Sequence, residues 1–219
     1  MTRVTAVLTF LAALAGLLAA LAAAPAWAGP PTDQLRGAID RVVKTLENPA
    51  YKGEARAAER KAAVRRIAND IFDFAEIAKR SLGRHWQGRS EAERKEFVTL
   101  FADLLERSYI SKIDLYGGEK ILYTGERIDG EAASVLTKIV TKNGTEVPIE
   151  YRLLKQGGDR WLVYDVSIEG VSLVSNYRTQ FNKIIQTSSY AELVRKMKAK
   201  QDEPNAFQDD KARPKGKAQ

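Results

Sequence analysis

The chain has 219 residues, 44% of them hydrophobic and 29% charged, which suits a folded globular protein and is too apolar for a wholly disordered one. It contains no Cys and a single His, so disulfides, thiolate metal sites, Cys nucleophiles and multi-His relays within one chain are excluded. Lys and Arg number 35 against 28 Asp and Glu, a mild excess of +7 with both signs interspersed.

Arg3 opens the chain, and the Ala-rich run from Val4 to Ala24 carries no charge. The run ends in Ala24-Pro25-Ala26-Trp27-Ala28, where Ala26 and Ala28 form an A-x-A-type cleavage site. Residues 1–28 therefore read as an export signal removed after Ala28, and the expected compartment is a bacterial periplasm. A retained anchor would need about 20 apolar residues, but Pro25 breaks this run and no positive stop-transfer flank follows. An exported chain has no nucleic acid to meet. Its basic balance fits anionic lipid head groups or acidic protein partners better.

Asp33 is placed to cap a helix reaching about Asn48, with Leu35, Ile39, Val42, Val43 and Leu46 on one side, stopped by Asn48-Pro49. A second helix is predicted from about Glu54 to Ile71, with Ala57, Val64, Ile67, Ala68 and Ile71 inward. Its other side holds Arg56, Arg60, Lys61, Arg65 and Arg66, which reads as a solvated face or, more sharply, as a docking surface for lipid heads or an acidic partner. Asp73 to Leu82 reads as a short third helix ended by Gly83. Ser90-Glu91-Ala92-Glu93 matches a capping box and opens the longest helix, with Phe97, Leu100, Phe101, Leu104, Leu105 and Tyr109 at helical spacing.

The period then changes to two. Strands are predicted from Glu119 to Ile128, around Val135 to Thr141, through Ile149, Tyr151 and Leu153, and from Trp161 to Ile168. Asp129-Gly130, Asn143-Gly144 and Gly157-Gly158 make the turns between them, which implies an antiparallel sheet of about four strands. Helical spacing returns with Val171, Val174, Tyr177, Phe181, Ile184 and Ile185, and a last helix spans about Tyr190 to Ala199. Residues 200–219 are polar and hold Pro204 and Pro214, so a disordered tail is expected after a folded body over 29–199. Helices, then an antiparallel sheet, then helices make the class α+β. Such a sheet with helices across one face can enclose a pocket.

Catalytic readings find little support. His85 reads as a structural histidine, no Ser lies in a G-x-S-x-G elbow, and the Gly pairs lack a following G-K-[ST]. Asp73, Glu76, Asp165 and Glu169 sit beside apolar runs and read more readily as caps or salt-bridge partners than as an acid/base pair. No metal-binding set stands out, and no cofactor is expected.

Three stretches together carry a resemblance. The first runs from Asp73 to Trp86, continues through Glu93 to Phe97 and reaches Leu105 to Tyr109. The second is Trp161 to Val174, and the third is Asn176 to Phe181 with Ile184-Ile185 after it. They resemble the MlaC, or toluene-tolerance, family of periplasmic phospholipid-binding proteins over about Asp33 to Lys200. The resemblance implies an NTF2-like sheet and a soluble shuttle carrying phospholipid between the outer and inner membranes. It also implies two partners, an outer-membrane lipoprotein–porin complex and an inner-membrane ABC transporter with an MCE-domain ring. A hopanoid-associated branch of the family implies a polycyclic lipid as alternative cargo. No catalytic residues come with the resemblance.

The apolar wall of the pocket is expected from the long helix (Phe97, Phe101, Leu104, Leu105), one sheet face (Ile149, Tyr151, Leu153, Val166) and the helix crossing it (Val171, Val174, Tyr177, Phe181). Alternation alone leaves open which sheet face is the lining one. Arg178 is expected near the mouth. Two rivals remain: an NTF2-like enzyme using Asp165 and Tyr177 on a hydrophobic ligand, and a cargo-free adaptor with a solidly packed interior.

Overall fold

The computed structural model describes residues 29–113 and 116–199, so the expected export signal over 1–28 and the polar tail over 200–219 lie outside the described residues. Helix α1 spans Pro30–Glu47. Prolines at its first two positions need no intrahelical partner for the missing N–H and preset φ. Asp33 is not its cap. Gly29 is the N-cap residue and Asp33 lies in the first turn, where its charge suits the helix dipole. The capping carboxylate comes from far along the chain: Glu126 accepts from Gly29 N–H at 2.9 Å and from Thr32 N–H at 2.7 Å.

Two 3-10 turns, Pro49–Tyr51 and Glu54–Arg56, precede α2 (Ala57–Ile71), so the first turn of the expected second helix is tighter than α. Helix α3 covers Phe74–Leu82, with the Asp73 side chain accepting from Glu76 N–H. Gly83, at φ 58°, ends it as expected. The Ser90–Glu93 box forms in both directions: Ser90 N–H reaches Glu93 at 2.8 Å and Glu93 N–H reaches the Ser90 hydroxyl at 3.3 Å. It starts α4, Glu91–Ile113.

The sheet is a meander of β1 (Lys120–Asp129), β2 (Ala132–Val140), β3 (Glu146–Gln156), β4 (Arg160–Ile168) and β5 (Val171–Ser172), antiparallel throughout and in chain order. The two-residue β5 is not among the predicted strands. Val171 belongs to it rather than to the following helix and is 55% exposed. The β4–β5 turn takes positive φ at Glu169 and Gly170, so Val171 pairs back with Ile168. Helices α5 (Leu173–Thr187) and α6 (Tyr190–Ala199) complete the chain.

A bulge in β4 divides the inward face of the sheet. Arg152 pairs with Asp165 but Leu153 pairs with Val163, which leaves Tyr164 as the extra residue. An extra residue reverses the side-chain parity of a strand. Trp161 and Val163 therefore join Leu153 before the bulge, whereas Val166 and Ile168 join Tyr151 and Ile149 after it.

Burial divides into two clusters instead of one. The first joins α3, α4, α5 and α6 through Leu82, Phe97, Phe101, Tyr177, Phe181, Leu193 and Met197. The second joins α1 and the end of α2 to the sheet through Leu35, Ala38, Ile71, Val135, Leu153, Trp161 and Val163. Phe72 packs against both. Among the described residues no helix is long and apolar enough to cross a membrane.

Candidate functional site

Between the two clusters lies a cavity of about 980 Å³. That is the upper end of the roughly 300–1,000 Å³ span of small-molecule sites. Its wall is built mostly from aliphatic and aromatic side chains, and each element contributes by its own period. Helix α1 turns Leu35, Ile39, Val42 and Leu46 towards it, and α2 adds Val64, Ile67 and Ile71. Helix α4 supplies Phe101, Leu105 and Tyr109, and α5 supplies Leu173, Val174 and Tyr177. The sheet contributes Ile121, Ile139, Ile149, Tyr151, Val166 and Ile168.

Of the residues expected on the wall, Phe101, Leu105, Ile149, Tyr151, Val166, Val174 and Tyr177 are on it. Phe97, Leu104 and Phe181 lie behind it in the helical cluster, where the Phe97 and Phe181 rings meet edge-on at 5.6 Å. Leu153 shares the face of Ile149 and Tyr151 but lies further along β3, where it is buried in the other cluster beside its pairing partner Val163. Val171 is on the surface, since the chain reverses before the helix begins. The lining face of the sheet is thus the Ile149–Tyr151–Val166 face. The walls from α1 and α2 lie outside the sequence-based expectation, although the apolar side of α1 is visible in its sequence. Periodicity reports that a side is buried without reporting whether it meets side chains or space.

Several polar groups on the cavity wall have partners. Tyr109 and Tyr177 share a hydrogen bond, and burial pushes both phenols above their ordinary range. Burial likewise pushes Tyr151 up to about 12, against its hydrogen bond with Thr137. These phenols stay neutral at physiological pH. Asp165, 5% exposed, accepts from the Ser172 hydroxyl at 2.6 Å and from Val174 N–H at 3.1 Å, with Arg152 at 3.7 Å. It anchors the start of α5.

Charge gathers at one edge of the cavity. Arg65 of α2 is ion-paired with Glu106 of α4, and both line the cavity with Asp103 and Thr99. The rest of the predicted basic side is partly engaged: Arg56, in the turn before α2, pairs with Glu59 at 2.7 Å, and Arg60 of α2 donates to the Tyr51 carbonyl at 2.8 Å. Arg178 is not at this edge. Its Nε donates to the Arg80 carbonyl at 2.8 Å, and it borders a separate depression beside Lys79 and Arg84. His85 lies 3.0 Å from the Asn182 side-chain oxygen and ties its loop to α5.

A cavity with walls this apolar has room for hydrocarbon. A solidly packed interior, which the adaptor reading requires, is not what the structure has.

The family model described as MlaC protein matches residues 36–199. A Haemophilus influenzae protein named intermembrane phospholipid transport system binding protein MlaC is 23% identical over 148 residues, covering 64% of this chain and 69% of that one. Toluene tolerance protein ttg2D of Pseudomonas putida is 27% identical over 184 residues, 78% of this chain and 81% of that one. Among solved structures, a phospholipid-binding protein of Ralstonia solanacearum in complex with a phospholipid superposes with a TM-score of 0.68 at 22% identity. That match covers 80% of this chain and 98% of the other. With the family model spanning the body from α1 to the end of α6, the chain belongs to the MlaC family.

Proposed function

We propose that the protein is a periplasmic lipid carrier. It holds the acyl chains of a phospholipid in the cavity between its two cores and leaves the head group at the charged edge. The observation that carries this reading is the 980 Å³ apolar space itself. The names of the relatives from Haemophilus influenzae and Pseudomonas putida, and the phospholipid in the Ralstonia solanacearum structure, support it.

The physical case is one of solubility. Each methylene removed from water contributes about 0.8 kcal/mol, so a 16-carbon chain gains on the order of 13 kcal/mol on entering a dry cavity. A bilayer offers nearly the same gain, so the cavity makes lipid soluble in transit without giving its transfer a direction. Direction then comes from docking partners, for which the family resemblance supplies an outer-membrane lipoprotein–porin complex and an inner-membrane ABC transporter with an MCE-domain ring. The tails enter between α2 and α4, where the exposed Arg65 and Thr99 and the half-buried Glu106 line the cavity. No chemical step is assigned: Asp165 is held by α5, and Tyr177 is a neutral phenol bonded to Tyr109.

The test is native mass spectrometry with lipid extraction of the protein exported from its full-length gene. Intact phospholipid is the expected ligand. A polycyclic lipid would make it a hopanoid carrier, an altered lipid would favour the enzyme, and an empty cavity from lipid-rich cells would refute carriage.

A further inference from the structure

The start of α1 is held in an unusual way. The two oxygens of Glu126, on β1, accept from the backbone N–H groups of Gly29 and Thr32 at 2.9 and 2.7 Å. The carboxylate sits close against residue 29, where an added Cβ would lie 2.2 Å from Glu126 Oε1 and would displace it. One turn along, the Thr32 hydroxyl is buried and has no hydrogen-bond partner among the described residues. The residue in this cradle directly follows the Ala26-Trp27-Ala28 cleavage signal.

We propose that export processing cuts between Ala28 and Gly29 and that Glu126 receives the new α-ammonium of Gly29 as an ion pair. Hydrolysis adds water across the Ala28–Gly29 amide. The hydroxyl goes to the Ala28 carbonyl carbon, and one hydrogen goes to the Gly29 nitrogen, which takes a further proton from solvent at neutral pH. One amide N–H facing a carboxylate thus becomes an ammonium facing it, and such charge-assisted bonds are roughly twice as strong as neutral ones. The ammonium has more donors than the amide, and the Thr32 hydroxyl is a spare acceptor in the same turn. An ammonium at the positive end of a helix dipole is unfavourable by itself, which gives a carboxylate from another element a reason to be there. On the two elements that meet here, α1 also carries Asp33 and Arg36, 4.0 Å apart, and β1 carries Tyr123 beneath the Arg36 guanidinium. The precursor lacks this ion pair, so the cut itself tightens the docking of α1 on the sheet. The inference is independent of what the cavity holds.

The experiment starts from protein exported from the full-length gene. Its intact mass and N-terminal sequence should place Gly29 first. Its α-amine, followed by pH-dependent labelling, should titrate above the ordinary range of about 7.7–8.0, and Glu126→Gln should return it to that range. Thermal unfolding should show a loss on Nα-acetylation in the wild type and a smaller one in Glu126→Gln. A mature chain beginning at any other residue, or a wild-type α-amine titrating in the ordinary range, would overturn the proposal.

Discussion

Asp165 shows how a residue that looks chemical in the sequence becomes structural in the fold. Its carboxylate meets Ser172, Val174 N–H and Arg152, so its removal leaves a buried donor and an unsupported helix start. Asp165→Ala should cost roughly 2–3 kcal/mol, combining a lost cap with a buried donor left unmet. For a chain of this length that is a fall in Tm of about 2–4 °C per kcal/mol, read by thermal unfolding. Asp165→Asn should retain lipid in its native chemical form, whereas the enzyme reading requires the ligand to change. Glu76 carries a pH prediction. Burial pulls its carboxyl upwards, but hydrogen bonds from Lys79 and Arg80, together with their charges, hold it below the ordinary value. A depressed carboxyl contributes stability above its unfolded pKa and loses it as pH falls through the folded one. Denaturant unfolding between pH 6 and 3 should therefore show a shallower acid-side loss in Glu76→Gln.

At the scale of the element, most of the fold was legible because local chemistry and tertiary structure agree. The Ser90–Glu93 box, the Gly83 stop and the alternation of Val135 and Thr137 with Leu136 and Lys138 each do in the fold what their residue types imply. What stayed hidden was non-local. Nothing near Gly29 announces that its helix is capped by Glu126, so the neighbouring Asp33 looks like the cap. The spacing of Val171 to Val174 suits a helix, but a turn at Glu169-Gly170 takes Val171 into β5. Tyr164 alternates like any strand residue, yet as a bulge it is what brings Val166 and Ile168 to the face of Tyr151 and Ile149. The wall elements make their own prediction. Ala68 on α2 and Ala102 on α4 both line the cavity. Ala68→Trp and Ala102→Trp should place a ring in existing space and keep far-ultraviolet circular dichroism while losing co-purified lipid. Full lipid occupancy in both folded variants would show that hydrocarbon does not occupy this volume.

Across the whole molecule, the absence of Cys makes the proposed entry seam directly accessible to experiment. With Arg65→Cys and Glu106→Cys joined by a short bis-maleimide, α2 and α4 are fixed to each other, and lipid exchange with phospholipid vesicles should slow at least tenfold. Exchange unchanged by the cross-link would place the entrance elsewhere. The division of burial into two clusters, bridged by Phe72, has a further mechanical meaning. Hydrocarbon in the gap is a third body that touches both, so a loaded molecule melts as one piece. Emptied of it, the clusters share Phe72 alone as a common neighbour among the described residues, with Phe72 itself tied to Val163, and calorimetry of lipid-stripped protein should resolve two transitions where the loaded protein gives one.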